Sequence, residues 1–142
     1  MARTGVAPQG KSFNATVDAL TTHALQLYLM RPSDEGRDRL DALGANMLNR
    51  LVASMPAQAI GFAEKYDASW VPIASERVTI MGHVLKTAWC LARLHEILGD
   101  PEYLDAAEDV AQHVLERGYD HEFGGPYKDY DRVTGQMQMW GV

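Results

Sequence analysis

Two kinds of helical pattern alternate along the chain. The stretches from Phe13 to Leu29 and from Ile80 to Leu98 are apolar on most faces, whereas Arg37 to Val52 and Tyr103 to Arg117 each carry one apolar stripe opposite a charged face. A helix that is apolar all round is buried, and an amphipathic helix covers a core with a single face. The pattern therefore predicts two helix pairs, each made of one buried and one half-exposed helix.

Short joints connect the two helices of each pair. Arg31-Pro32-Ser33-Asp34 joins the first pair and Gly99-Asp100-Pro101 joins the second. Proline favours the first turn of a new helix, and short connections make neighbouring helices antiparallel. We expect four antiparallel helices within residues 13–117, starting near Phe13, Glu35, Thr79 and Pro101. Those that start near Phe13 and Thr79 should be the more buried ones.

The chain also repeats itself at a spacing of sixty-four residues. Leu40-Asp41-Ala42 recurs as Leu104-Asp105-Ala106, and the segment from Gly61 to Asp67 aligns with that from Gly125 to Asp131. A fixed spacing indicates stacked copies of one supersecondary unit. We expect one domain over residues 1–142 with repeat units of about 13–78 and 79–142. Its fold class is all-α.

Alternating buried and half-exposed helices are typical of an α/α toroid, in which an inner ring of helices lies inside an outer ring. The long loops after the outer helices then meet at one mouth of the ring. Two repeat units cannot close such a ring, so we expect apolar flanks of the inner helices to be exposed and the chain to self-associate.

Composition excludes several classes of function. The net charge is −6 and the basic residues are scattered, which gives no reason to expect a nucleic-acid partner. Cys90 is the only cysteine, so an internal disulfide and a multi-cysteine metal site are excluded. No apolar run approaches the roughly 18 residues that span a bilayer. We expect a soluble cytoplasmic protein with no membrane partner, no metal and no cofactor.

One histidine and a set of loop aromatics are candidates for chemistry. His83 follows Gly82 at the start of the apolar helix, and its unperturbed pKa of about 6.5 suits proton transfer. The loops interleave aromatic and acidic side chains, a combination that suits the faces and hydroxyls of a sugar or, equally, a β-hairpin anchored over the helix ends. The aromatics are Tyr66, Trp70, Tyr119, Phe123, Tyr127, Tyr130 and Trp140, and the acids are Glu64, Asp67, Asp120, Asp129 and Asp131.

Several short motifs together resemble the N-acylglucosamine 2-epimerase family, which includes cellobiose 2-epimerases and mannose isomerases. They are Gly82-His83 followed six residues later by Trp89, the joint from Leu98 to Leu104, Gly118-Tyr119-Asp120 before Gly124-Gly125, and a helix that begins at Asn14. The resemblance implies an (α/α)6 toroid, of which this chain looks like the middle third. It also implies interconversion of sugars by proton transfer beside the carbonyl.

The resemblance implies roles for individual residues. His83 matches a catalytic general acid/base, and the candidate sugar contacts are Asn14, Asp18, Trp89, Tyr66 and Tyr130. Two positions depart from the family pattern: Lys86 replaces a glutamate three residues after the catalytic histidine, and Asp18 replaces the histidine of an Asn-x-x-x-His motif. No residue of the chain matches the family's second catalytic histidine or its anion-stabilising arginine.

Two other functions remain open at this stage. The departures and the missing second base favour a helical-repeat module that binds a partner without catalysis. A glycoside hydrolase or lyase is the other alternative, since many toroids support that chemistry, and hydrolysis would need two carboxylates such as Asp18 and a loop acid. His23, His95, His113 and His121 are expected to serve packing or to face solvent.

Overall fold

The computed structural model of the chain describes residues 10–55 and 60–138. The first helix pair begins with a π-helical segment, Asn14–Thr21, that runs directly into α1, Thr22–Met30. Its second member is α2, Asp34–Asn46, which continues through a π-helical turn, Met47–Leu51, and a 3-10 turn, Val52–Ser54. The helices lie where the hydrophobic pattern predicts them.

The second pair consists of α3, Met81–Leu98, and α4, Pro101–Arg117. The two outer helices, α2 and α4, start with matching caps. The Ser33 side chain accepts a hydrogen bond from the Gly36 amide at 3.1 Å, and the Asp100 side chain accepts one from the Glu102 amide at 3.0 Å. These caps satisfy amide groups that have no partner inside the helix, and they fix where each outer helix begins.

The loops that follow the outer helices form small antiparallel sheets, so the class is helical with short strands rather than purely α. Three sheets are present among the described residues. They pair β1 (Lys11–Ser12) with β2 (Lys65–Tyr66), β3 (Val78–Ile80) with β6 (Asp129–Asp131), β6 with β7 (Met137–Gln138), and β4 (Tyr119–Asp120) with β5 (Gly125–Pro126).

The same fastening occurs in both helix pairs. In each, the strand before the inner helix pairs with a strand from the loop after the outer helix, β1 with β2 and β3 with β6. The Phe13 amide donates to the Glu64 carbonyl at 3.1 Å, and the Met81 amide donates to the Lys128 carbonyl at 3.1 Å. Each loop is therefore held at the N-terminal end of an inner helix.

Burial separates the helices of the second pair as expected. On α3, the buried residues include Met81, Val84, Leu91 and Leu94, whereas α4 buries a single stripe.

No helix among the described residues has both the length and the apolar character needed to cross a bilayer.

The inner helix of the first pair is buried at its start and exposed over its last helical turn. Phe13, Val17 and Leu25 are buried, but Leu27 is 66% exposed and Met30 is 82% exposed. This exposure agrees with the expectation that the inner helices of an unclosed ring carry exposed apolar flanks. The described residues supply no helix to cover that end, and its side chains face solvent for that reason.

Candidate functional site

His83 lies in the first turn of α3, where β3 leads into the helix. Its imidazole stacks on the Phe13 ring, with the two ring centroids 4.0 Å apart and the planes 10° from parallel. Phe13 itself is fully buried at the start of the first pair. A fully packed aromatic ring thus fixes the plane of the imidazole, while a quarter of the His83 side chain remains exposed.

Glu64 holds the other edge of the imidazole. Its Oε2 lies 2.7 Å from His83 Nδ1, and its Oε1 accepts a hydrogen bond from the Ile80 amide at 3.3 Å. Because a carboxylate only accepts hydrogen bonds, the contact favours a proton on Nδ1 and leaves Nε2 as the basic nitrogen. Among the described residues, no hydrogen bond engages Nε2. The arrangement is that of an oriented base.

Sequence reasoning did not identify Glu64 as the partner of His83. It placed Glu64 only among loop acids available to a sugar. The internal repeat carried a signal, because Glu64 aligns with Lys128, and both residues use their carbonyls to fasten a loop to an inner helix. The repeat does not show that the Glu64 side chain extends from the first helix pair to His83 in the second.

The two departures from the family pattern contact each other. The Lys86 ammonium donates to Asp18 Oδ1 and thereby joins the first inner helix to α3. The hydrogen bond from Lys86 lowers the pKa of Asp18, and the positive charge of Lys86 acts in the same direction while partial burial opposes it. The family resemblance puts a histidine at the position of Asp18 and a glutamate at the position of Lys86. This chain therefore has its acidic residue where a basic one is expected, and its basic residue where an acidic one is expected.

Among the described residues, no hydrogen bond or ring contact joins the other predicted sugar contacts to His83. Asn14 is exposed at the start of the π-helical segment, and Tyr130 is half-buried in β6 opposite Thr79. Trp89 is 45% exposed on α3, and among the described residues no ring contact or hydrogen bond links it to His83.

Tyr66 requires a correction. Its side chain is fully buried, its hydroxyl shares a hydrogen bond with Ser54 Oγ at 3.2 Å, and its ring packs against Trp70. Burial raises the pKa of this phenol. Tyr66 has no surface open to a sugar and instead anchors the loop, which is the hairpin role that the sequence left open. Trp140 lies outside the described residues.

Three other histidines make backbone contacts. His113 Nε2 accepts from the Gly61 amide at 3.3 Å, His95 Nδ1 lies 2.8 Å from the Asp100 carbonyl, and His121 Nε2 lies 3.1 Å from the Leu115 carbonyl. These contacts fit the packing roles expected for them. The described residues contain no group of three or more histidine, cysteine or acidic side chains that would hold a metal ion.

Solved structures share the fold of this chain. A cellobiose 2-epimerase from Spirochaeta thermophila is 23% identical with a TM-score of 0.70, covering 95% of this chain and 32% of its own. A D-mannose isomerase is 13% identical with a TM-score of 0.74, covering 94% of this chain and 33% of its own. A glycoside hydrolase family 76 α-mannanase from Bacteroides thetaiotaomicron is 15% identical with a TM-score of 0.73, covering 99% and 36%.

Cellobiose 2-epimerases and a mannose isomerase, which the residue motifs resemble, are thus among the structures that share this fold. At such identities they establish the fold alone, and the chain spans about a third of the length of each of these structures. No family model matches the chain. No curated protein matches it either.

Proposed function

We propose that the chain belongs to a sugar 2-epimerase or aldose-ketose isomerase, with His83 as the base that moves the proton beside the sugar carbonyl. The observation that carries this proposal is the 2.7 Å contact between His83 Nδ1 and Glu64 Oε2, which leaves Nε2 open on a partly exposed ring. The fold shared with epimerases and an isomerase supports it.

The contacts around His83 suit proton abstraction. Nε2 takes the proton from the carbon next to the carbonyl, and the electron pair of the broken C–H bond moves into an enediolate. The resulting imidazolium carries a positive charge, which the Glu64 carboxylate stabilises through the hydrogen bond at Nδ1. Return of the proton from Nε2 to the neighbouring carbon gives the isomer. Formation of the epimer needs a second acid, which delivers a proton to the opposite face of the same carbon.

Glycoside hydrolysis has less support from the geometry, although a mannanase shares the fold. Hydrolysis needs two carboxylates that flank the scissile bond, one of them acting as an acid. Here Glu64 is engaged by His83 and Asp18 is engaged by Lys86. Both carboxylates already have cationic or hydrogen-bonding partners, which suits a supporting role rather than protonation of a leaving group.

Replacement of His83 tests the proposal. The assay follows exchange of the alpha proton of cellobiose and D-mannose with deuterium from solvent by NMR. Because general acid/base groups typically contribute about 100-fold to 10,000-fold, His83→Asn should slow exchange by that factor. His95→Asn, on the same helix but bonded to the Asp100 carbonyl, is the matched control and should exchange at the wild-type rate. Equal rates for wild type and His83→Asn would remove His83 from the mechanism.

Replacement of Glu64 tests its positioning role. In wild type, the nitrogen-15 spectrum of His83 should show the proton on Nδ1. In Glu64→Ala, the ring should shift toward the ordinary Nε2-protonated tautomer. Loss of a hydrogen bond to a charged group costs about 1.5–3 kcal/mol, so exchange should slow by roughly 10-fold to 100-fold. An unchanged tautomer with an unchanged rate would show that the contact has no part in catalysis.

A further inference from the structure

Residues 61–64, which we call the Glu64 segment, bring the Glu64 carboxylate to His83. At the end of the segment, the Glu64 carbonyl accepts from the Phe13 amide at 3.1 Å, and Glu64 Oε1 accepts from the Ile80 amide at 3.3 Å. Glu64 Oε2 then lies 2.7 Å from His83 Nδ1. Any shift of the segment therefore changes the contact that orients the imidazole.

Buried contacts hold the middle of the Glu64 segment. The Phe62 carbonyl accepts from the Thr79 hydroxyl at 2.9 Å. The Phe62 ring stacks on the Phe13 ring, with the two centroids 6.0 Å apart, and Phe13 is the ring that lies against the His83 imidazole. The segment is thus packed against both the partner and the support of the imidazole.

His113, on α4, holds the beginning of the Glu64 segment. Its Nε2 accepts a hydrogen bond from the Gly61 amide at 3.3 Å. Because a backbone amide only donates, the His113 ring must be neutral, with its proton on Nδ1. A protonated imidazole has no acceptor nitrogen, and its Nε2–H would face the Gly61 N–H. Protonation of His113 therefore removes this hydrogen bond altogether.

The surroundings of His113 favour the neutral ring. Burial lowers the pKa of His113, the positive charge of Arg117 acts in the same direction, and the negative charge of Glu116 opposes them. Both of these charged residues belong to α4, the helix that carries His113. The hydrogen bond to Gly61 is therefore present at neutral pH and is lost in acid.

The groups on the other side of this contact do not titrate with it. Gly61 comes close to Thr79 of β3 and Val84 of α3, which are fully buried and uncharged. Glu64 is the one titratable residue of the segment, and its carboxylate faces His83. Among the described residues, His113 is thus the titratable group that bonds the beginning of the segment.

We propose that His113 is a positioning residue for the proposed reaction: its neutral ring holds the Glu64 segment at Gly61, and its protonation releases that end of the segment. Release weakens the contact between Glu64 Oε2 and His83 Nδ1, so His83 loses the orientation that leaves Nε2 as the base. His113 acts through the segment rather than on the sugar. The catalytic consequence rests on the role proposed for His83, whereas the release itself does not.

Hydrogen exchange of backbone amides tests the release without any sugar. The amides of Gly61 and Ile80 report on the segment, and each rate is divided by the intrinsic chemical rate at the same pH. In wild type, protection of both amides should fall as the pH drops from 7 to 5, while amides in the middle of α3 stay protected. His113→Gln keeps a neutral acceptor for Gly61, so its protection should not change over this range. Protection that is independent of pH in wild type would overturn the proposal.

The tautomer of His83 shows whether the release extends to the site. His113→Leu has similar bulk but no acceptor, so at pH 8 its His83 ring should shift partly toward the Nε2-protonated tautomer in nitrogen-15 spectra. His113→Gln should retain the wild-type tautomer. A wild-type tautomer in His113→Leu would confine His113 to packing and overturn the positioning role.

Exchange of the sugar alpha proton supplies the catalytic readout. At each pH, the rate in wild type is divided by the rate in His113→Gln. Because both proteins contain His83, its own titration cancels from this ratio. The ratio should be about one at pH 7.5 and fall by about 2-fold to 10-fold toward pH 5, the factor expected for one hydrogen bond.

His121→Gln is the matched control, because His121 Nε2 lies 3.1 Å from the Leu115 carbonyl at the end of α4. The ratio of wild type to this variant should not change with pH. A ratio of wild type to His113→Gln that is equally flat would overturn the proposal. A wild type that exchanges no sugar proton would refute the proposed function instead, and the amide and tautomer measurements would still decide the role of His113.

Discussion

Gly61 lies in the loop after α2 that also carries Glu64. Replacing Gly61 tests how closely this loop packs against the start of α3. Its backbone adopts φ +67°, in the left-handed region, and a β-carbon there would collide with Thr79 Cγ2 and would lie 2.7 Å from Val84 Cγ2. Thr79 and Val84 are fully buried, and the Thr79 hydroxyl donates to the Phe62 carbonyl at 2.9 Å, so neither can move aside easily. We therefore expect Gly61→Ala to be strongly destabilising.

Two costs add in this substitution. A non-glycine residue in the left-handed region costs about 1–2 kcal/mol, and forcing an extra carbon into a packed core typically costs about 1–3 kcal/mol. The free energy of unfolding should therefore fall by roughly 2–5 kcal/mol. Gly99→Ala is the matched control, because Gly99 has φ +80° but open space around its missing β-carbon. It should carry only the first cost.

Urea unfolding followed by circular dichroism, with all variants at one protein concentration, measures both free energies. The difference between the two variants isolates the close approach of Gly61 to Thr79 and Val84, and should be about 1–3 kcal/mol. Equal destabilisation by the two substitutions would refute the packing described for this loop. It would also question the placement of Glu64, three residues further on.

Two further predictions concern titration and reactivity. Burial, aided by the charge of Arg117, lowers the pKa of His113, so stability should fall as the pH drops from about 6.5 toward the lowered pKa, where the unfolded chain binds more protons, and should level off below it. His113→Gln, which can still accept from Gly61, should show a flatter stability profile between pH 7 and 5, and an identical profile would argue against the contact. Burial raises the pKa of the Cys90 thiol to about 11, so a thiol reagent at pH 8 should label Cys90 only on unfolding, and rapid labelling of the folded protein would contradict its buried position.

Local signals in the sequence determined the helices. The hydrophobic periods of 13–29 and 80–98, the capping residues Ser33 and Asp100, and the proline after Asp100 act within a few residues along the chain. They placed four helices in two pairs because each helix is stabilised by its own periodic face and its own ends. The short motifs, of which Gly82-His83 is one, together resembled a family that includes cellobiose 2-epimerases and mannose isomerases, and such enzymes are among the solved structures that share the fold.

The hydrophobic period of the sequence did not predict every feature of the fold. Leu27 and Met30 carry the same apolar signal as buried residues, yet they are exposed, because burial depends on which helices are present to cover a face. Periodicity also gave no sign of the π-helical turn Asn14–Thr21. The short strands depend on pairing between distant loops, such as Thr79 with Tyr130, and were left open for that reason.

The partners within the site were decided by the tertiary structure alone. The sequence offered His83 as a candidate base, but it could not show that Glu64 reaches its Nδ1, that Phe13 lies under its ring, or that Lys86 bonds Asp18. Each of these contacts joins the first helix pair to the second. Side-chain contacts across such a junction depend on how the pairs stack, which is set by the packing of the whole core and by no local pattern in the chain.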